Sequence, residues 1–290
     1  MTTVTALTGV TGDVGGKTLQ LLREAGTPVR AIVRRPHQAE ALRADGVDAR
    51  VADLGDRAAL TRALDGVDQL FLVTAATRRQ AEHGLIGVQS ARDAGVRALV
   101  HLSGADAAED SPLPWAHAIW QIDEQVRASG LAYTLVRPSG FMTNLESSAP
   151  VTRRGLLPQP MGRGVTPWID TAAIARVAAP VLPGATHDGA EPLVPGPELL
   201  DGRGVARSLS AGLDRPVRYV HLPSRAFAAL LRANGVPAWQ AEGLRQQFGR
   251  VARRGLDGID VRTDEGERLP GRPARPPAAW ARSRRATLPG

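Results

Sequence analysis

Residues 5–22 read TALTGVTGDVGGKTLQLL. A short apolar run leads into Gly9-x-x-Gly12-x-x-Gly15, and a helical pattern follows. Strand, turn and helix thus stand in the order of a dinucleotide-binding unit. Each glycine has a physical task there. Gly9 permits the tight turn off the strand, Gly12 lets backbone approach a pyrophosphate, and Gly15 lets the helix pack closely on the sheet. The helix N-terminus offers free N–H groups and a positive dipole end to the phosphates. The glycine spacing is a variant one, so the order of the flanking elements carries the reading. Asp13 is adverse beside a pyrophosphate and suits a helix cap better. The bland alternative is a tight strand-to-helix turn without a ligand.

Working outward, the first half alternates strand and helix patterns. Strands are predicted at Val4–Thr8, Val29–Val33, Ala49–Ala52, Gln69–Thr74, Ala98–Leu102 and Tyr133–Arg137. Helices are predicted at Val14–Ala25, Gln38–Ala44, Arg57–Leu64, Arg79–Ala94 and Trp115–Ser129. LFLV and ALVHL are near-continuous apolar runs, as strands covered on both faces must be. Repeated β-α units imply right-handed crossovers and a doubly wound α/β fold of the Rossmann type.

Periodicity weakens after Phe141. SSAPVTRRGLLPQPMGRG (147–164) reads as a long loop, and TPWIDTAAIARVAAPVL (166–182) restarts a helix with Asp170 or Thr171 as N-cap. A β-α-β-like stretch and two helical patterns, Ser224–Ala233 and Ala238–Arg254, follow. The expected organisation is a nucleotide-binding domain over 1–150 and a small α+β lobe over 151–290. Helix 170–182 is expected to pack back on the first domain.

The second strand selects the dinucleotide. An NAD site places a carboxylate there for the ribose 2′-OH. AIVRRP instead ends in Arg34 and Arg35, roughly 20 residues past the glycines. A guanidinium binds a 2′-phosphate bidentately, which favours NADP(H). Arg34, directly after the strand, is the better candidate; solvating a loop is the alternative for either arginine. Asp53, with Leu54 beside it, stands where a residue flanks the adenine, or else caps a helix. Thr74, Ala75 and Ala76 follow the fourth strand, where the cofactor's middle passes. With Thr11, Val14 and Pro138, these complete the expected cofactor contacts.

Composition removes other classes. The 290 residues are 43% apolar, enough for a sizeable core, and contain no cysteine, which excludes disulfides and thiolate chemistry. No apolar run approaches the roughly 18 residues of a membrane span. The opening lacks a basic segment followed by an apolar one, so a cytoplasmic protein without membrane contact is expected. The +7 charge comes from scattered arginines, densest at RVARR (250–254) and GRPARPPAAWARSRR (271–285). That last run reads as a solvated tail; a phosphate-binding surface using Trp280 for stacking is the weaker reading, so no nucleic acid is expected.

Several stretches together resemble the NmrA-like branch of the atypical short-chain dehydrogenase/reductases. LTGVTGDVGG resembles the branch's TGATGxxG loop, and VRAIVRR its arginine-ended strand. ASGLAYTLVRPSGFMTNL resembles SGLxYTxLRPxxFMxN. TPWIDTAAIARVAAPVL and PLVPGPELLDGRGVARSLSAGLDRPVRYV resemble its later helix and its LTGPExLS region. The resemblance implies a Rossmann domain with a small lobe, NADP(H), and a substrate cleft between them. Members include quinone and ketone reductases, reductases of secondary metabolism, and cofactor sensors without turnover.

Typical relatives carry Tyr-x-x-x-Lys on the helix before the sixth strand, with tyrosine as proton donor. Here that helix is PWAHAIWQIDEQVRASG (114–130), which has neither residue; the pair would fall near Trp115 and Ile119. Tyr133 and Arg137 cannot replace it, being about 13 Å apart on a strand. The branch often has His or Lys near 119 and Glu near 123, where this chain has Ile119 and Asp123. His117 is a candidate acid in the first turn, against a bland exposed histidine. Ser103, closing the fifth strand, is the other catalytic candidate: the resemblance implies that it hydrogen-bonds the substrate oxygen, against a turn or cap role. The remaining histidines show no metal-ligand spacing.

Without an acid, a simple ketone is a poor substrate, because its alkoxide is strongly basic. A quinone leaves a phenolate whose acid has a pKa of about 10. The expectation is therefore an NADPH-dependent reductase of a quinone, enone or activated aromatic ketone, for instance an aromatic polyketide-like secondary metabolite. Trp115, Trp120, Phe141, Met142, Met161 and Trp168 are expected to line a cleft for a flat substrate, in a monomer or homodimer. The alternative is a non-catalytic NADP(H) sensor that binds a protein partner.

Overall fold

Parallel pairing organises the molecule. The computed structural model describes residues 3–148, 154–182, 189–254 and 274–285. Strands β1 (Thr5–Leu7), β2 (Val29–Val33), β3 (Asp48–Val51), β4 (Gln69–Leu72), β5 (Ala98–Leu102) and β6 (Ala132–Pro138) alternate with helices α1 (Asp13–Glu24), α2 (Pro36–Ala44), α3 (Arg57–Ala63), α4 (Gln80–Asp93) and α5 (Pro114–Arg127). The order β3-β2-β1-β4-β5-β6 reverses between β1 and β4, as in a doubly wound nucleotide-binding sheet. Every pairing in this sheet is parallel. The carboxyl ends of all six strands therefore share one edge.

Later elements are built into this sheet and onto it. After a 3-10 turn (Met142–Ser148) come β7 (Leu156–Gln159), β8 (Thr166–Pro167), α6 (Thr171–Val181), β9 (Leu193–Val194), β10 (Leu199–Leu200), α7 (Gly202–Leu213), β11 (Arg218–His221), α8 (Ser224–Ala233), α9 (Ala238–Arg254) and α10 (Pro277–Ser283). Strand β9 adds to β6 as a seventh parallel strand. Helix α6, capped by Asp170, packs with α1: Ile174, Val177 and Ala178 join Val14, Leu19 and Leu22 in one core cluster. Strand β7, inside the segment expected to be a loop, pairs in parallel with β11. Leu156 is exposed and the next three residues are buried, so no alternation marks this strand beside the prolines.

Core membership does not change over at residue 150. Met142 and Leu145 join the second cluster, with Leu157, Leu209, Phe227 and Phe248, whereas Ile169 and Val194 join the first. The largest difference from the sequence reading lies at 274–285. Trp280 is 1% exposed and Ala281 fully buried in the second cluster. Gly212 of α7 lies directly under α10, since a Cβ there would overlap the Ala278 carbonyl oxygen. These residues are docked, not a solvated tail, and a buried indole cannot stack on a base. Among the described residues, no helix is long and apolar enough to cross a membrane.

Candidate functional site

The loop between β1 and α1 meets the physical demands of a phosphate cradle. Gly9 adopts φ +66°, and a Cβ there would lie 2.8 Å from the Val73 side chain. Side chain and conformation both require glycine. A Cβ on Gly15 would overlap the Gly9 carbonyl oxygen, so the helix start and the turn are in van der Waals contact. At Gly12 the nearest atom to such a Cβ is Gly9 O at 3.3 Å, and Thr11, Gly12 and Asp13 are exposed. Gly12 is the N-cap and makes no side-chain capping bond, so no side chain caps the first-turn amides of α1.

Asp13 does not cap the helix. Its Oδ1 pairs with Lys17 Nζ at 2.8 Å, and Lys17 also donates to Thr171 Oγ1 at 2.6 Å, tying α1 to α6. Arg284 reaches Asp13 Oδ2 at 3.6 Å. The carboxylate expected to be adverse to a pyrophosphate is thus neutralised by two cations.

Arg34 and Arg35 stand exposed at the end of β2, and among the described residues the Arg34 guanidinium has no ion pair or hydrogen bond. Arg35 is the N-cap residue of α2, with its amide donating to Gln38 Oε1 at 3.1 Å. Asp53 does not cap α3: Asp56 does so through Ala59 N, while Asp53 Oδ1 accepts from Gly55 N at 2.7 Å. Asp53 and Leu54 are half-buried beyond β3. Beyond β4, Thr74 accepts from Gln80 Nε2 at 3.3 Å, and Ala75 and Ala76 are exposed. Thr8 Oγ1 donates to Val73 O at 3.0 Å and accepts from Val73 N at 2.7 Å, closing β1 against β4 at the switch point.

The end of β5 holds a feature not evident in the sequence. Ser103 Oγ donates to Asp123 Oδ2 at 2.6 Å, and Asp123 Oδ1 lies 2.8 Å from His101 Nδ1. All three side chains are at most 4% exposed. His101 lies on β5 and Ser103 just past its end, and Asp123 lies on α5 one turn beyond Ile119. Backbone bonds fix the loop: Ser103 N donates to Val136 O at 2.8 Å, and Ala105 N to the buried Pro138 O at 2.9 Å.

His117 lies elsewhere. It is about 160° around the helix from Ile119, at 100° per residue. Its ring stacks on Trp120 at 5.6 Å, and its Nδ1 meets Glu109 O at 2.8 Å. The structure does not bring it to Ser103. Asp106, three residues past Ser103, accepts from Gln247 Nε2 of α9 at 3.3 Å. Burial pushes its carboxyl above the usual range, against the opposing pull of its own backbone amide, Arg250, Gln247 and Arg137.

The aromatic set divides. Met142 and Met161 are fully buried and Trp168 is 3% exposed, all in the second core, so these three do not face an open cleft. Trp115, Trp120 and Phe141 retain exposed surface. Trp115 lies under α9, edge-on to Trp239 with centroids 6.5 Å apart and against Gly243. Sequence reasoning noted Asp123 only as the residue standing where the branch has Glu, and passed over its contact with His101 and Ser103. The available signal was the period-2 placement of His101 and Ser103, with a carboxylate on the helix that follows them. Among the described residues, no group of three or more His, Cys, Asp or Glu could hold a metal.

The glycine cradle and the exposed Arg34 fit a dinucleotide with a 2′-phosphate. A family model described as the NmrA-like family matches residues 1–268. The chain is 34% identical over 281 residues to an NAD(P)H azoreductase of Xenophilus azovorans, covering 97% of each protein. It is 37% identical over 277 residues to a (4-alkanoyl-5-oxo-2,5-dihydrofuran-3-yl)methyl phosphate reductase of Streptomyces griseus, covering 95% of each. Among solved structures, an NADPH-dependent quinone oxidoreductase of Escherichia coli in complex with NADPH superimposes with a TM-score of 0.85 at 30% identity, over 96% of this chain and 98% of that one. Sheet order, glycine loop and matched length agree: this chain belongs to the NmrA-like family.

Proposed function

We propose that this chain is an NADPH-dependent reductase acting on a quinone, an enone or an activated aromatic ketone. The observation that carries it is the single carboxyl edge joining three features: the glycine cradle, an exposed Arg34 after β2, and a buried polar serine after β5 with no tyrosine or lysine on α5. Bound NADPH supplies hydride. The residues that would hold it are the amides of Thr11, Gly12, Asp13, Val14 and Gly15 for the pyrophosphate and Arg34 for the 2′-phosphate, with Arg35 beside it. Asp53 and Leu54 would flank the adenine, and Thr74, Ala75, Ala76 and Pro138 the middle and nicotinamide portions.

Ser103 would meet the substrate oxygen, and Trp115, Trp120 and Phe141 supply flat apolar surface for an aromatic acceptor. A conjugated acceptor suits this site because the reduced product is a weakly basic phenolate or enolate. The relatives' names point the same way, since azo compounds, quinones and a dihydrofuranone phosphate are all conjugated acceptors. A secondary metabolite of the aromatic polyketide type is the finer version of this reading. The test is NADPH consumption across a panel of quinones, enones, azo dyes and aryl ketones, with product identification. Turnover of at least one class is expected; none across the panel would remove the proposal.

A further inference from the structure

Residues 274–285 grip one corner of the molecule at both ends. At the near end, Arg275 Nε donates to Asp170 Oδ2 at 2.6 Å. Asp170 is buried at the start of α6, where its Oδ1 caps the helix through Ala172 N at 3.1 Å. At the far end, the Arg284 guanidinium lies 3.6 Å from Asp13 Oδ2 and 3.3 Å from Glu146 Oε1. Trp280, between them, is sunk in the second core, which fixes the segment independently of either arginine. These residues lie past 1–268, the span that the family model matches.

Asp13 and Asp170 meet at one junction. Lys17 Nζ bonds Asp13 Oδ1 at 2.8 Å and Thr171 Oγ1 at 2.6 Å, and Thr171 follows Asp170 in the chain. Thr171 Oγ1 also lies 3.5 Å from Asp13 Oδ2. Both oxygens of Asp13 are therefore engaged on the side of α6 and the 274–285 segment.

Asp13 is the first residue of α1, next to the N-cap Gly12. A carboxylate there favours the helix, because negative charge suits the positive end of the dipole. It opposes a pyrophosphate, which uses the same dipole end and the amides around it. A partly exposed ion pair adds little to folding stability. The consequence of the Arg284 contact lies instead in where it keeps Asp13.

We propose that Arg284 is a positioning residue for cofactor binding: with Lys17 it holds the Asp13 carboxylate paired and off the mouth of the glycine cradle. The proposal rests on the placement of the pyrophosphate at that cradle given above. The group served is the diphosphate common to both pyridine nucleotides, so NADPH and NADH should respond alike, in contrast to their response at Arg34.

Calorimetric titration of NADPH and NADH into the full chain at low salt tests this. Arg284→Ala should bind both about 3–10-fold more weakly, with little change in melting temperature. Arg284→Lys keeps the charge and should recover most of the loss. The loss should shrink in about 1 M salt, where the screening length is about 3 Å. Asp13→Asn removes the opposing carboxylate, so adding Arg284→Ala to it should cost no further affinity, as for a group acting only through its neighbour. Arg285→Ala deletes the same charge from the same segment, but that side chain meets Gly212 O and Asp214, so it should bind as the wild type does.

Wild-type affinity in Arg284→Ala overturns the proposal. So does a loss that persists in full beside Asp13→Asn, or an equal loss in Arg285→Ala. A wild-type chain that binds neither nucleotide overturns the cradle reading itself.

Discussion

The loop at residues 9–15 and the segment at 274–285 are both fixed by close backbone approach, yet only one of them announces itself. The first depends on residues within a few positions of one another: glycines at set spacing, an apolar strand before, a helix after. The second is a run of arginine, proline and alanine whose partners lie far away in sequence. Arg275 Nε donates to the buried Asp170 Oδ2 at 2.6 Å, and Arg285 Nε to Gly212 O at 2.7 Å. Trp280 and Ala281 enter a core otherwise built from residues 142–251. Local pattern specifies the first region; tertiary placement specifies the second, and composition alone resembles that of a solvated tail.

Replacing Trp280 with alanine strikes this contrast hardest. A fully buried Trp truncated to Ala costs about 3–5 kcal/mol, and chemical denaturation should show a loss of that size. If stability is unchanged, residues 274–285 are a solvated tail and the comparison fails. On the other side, Arg34→Ala removes charge-assisted bonds worth about 1.5–3 kcal/mol. Calorimetry should then find NADPH binding roughly 10–100-fold weaker, with NADH binding little changed. Equal losses for both cofactors would mean that Arg34 does not read the 2′-phosphate.

Asp106 gives a finer test of how α9 meets the β5–α5 loop. Its carboxyl is raised by burial, so the folded state holds that proton more tightly than the unfolded state does. Its contribution to stability is present below the ordinary carboxylate range and is lost as pH rises through the raised value. Asp106→Asn should remove that loss: its melting temperature should exceed the wild type's at neutral pH, and the difference should vanish on acidification. A pH-independent difference would contradict the burial argument. Smallest of all should be Arg284→Ala. Its pairs with Asp13 and Glu146 span 3.6 and 3.3 Å at partly exposed positions, and exposed pairs contribute below about 1 kcal/mol. A larger loss in thermal melts would make Arg284 as structural as Trp280.

Most of the doubly wound sheet was legible, because strands covered on both faces become continuous apolar runs and glycine marks the turn. Ala98–Leu102, Ser224–Ala233 and Ala238–Arg254 fall where the pattern places them. Strand β7 and helix α10 were not, since two- to four-residue pairings and a proline-led helix leave no measurable period. Among the candidate site residues, the place of Ser103 just past the end of β5 was legible. Its contact with His101 and Asp123 was not, because His101 reads as part of an apolar strand and Asp123 only as the residue standing where the branch has Glu. Met142, Met161 and Trp168 were misplaced for the converse reason: large apolar residues near a cleft and large apolar residues beneath it look the same in one dimension.

The bond from Lys17 to Thr171 spans 154 residues. The amino-terminal unit therefore cannot finish on local contacts, since its first helix, already packed on the sheet, completes its buried face only when α6 arrives. Chain closure over that distance slows assembly. Freshly made amino-terminal sheet would wait with an uncovered apolar flank, and chaperone dependence, rather than equilibrium stability, is where destabilising changes in α6 would first be felt.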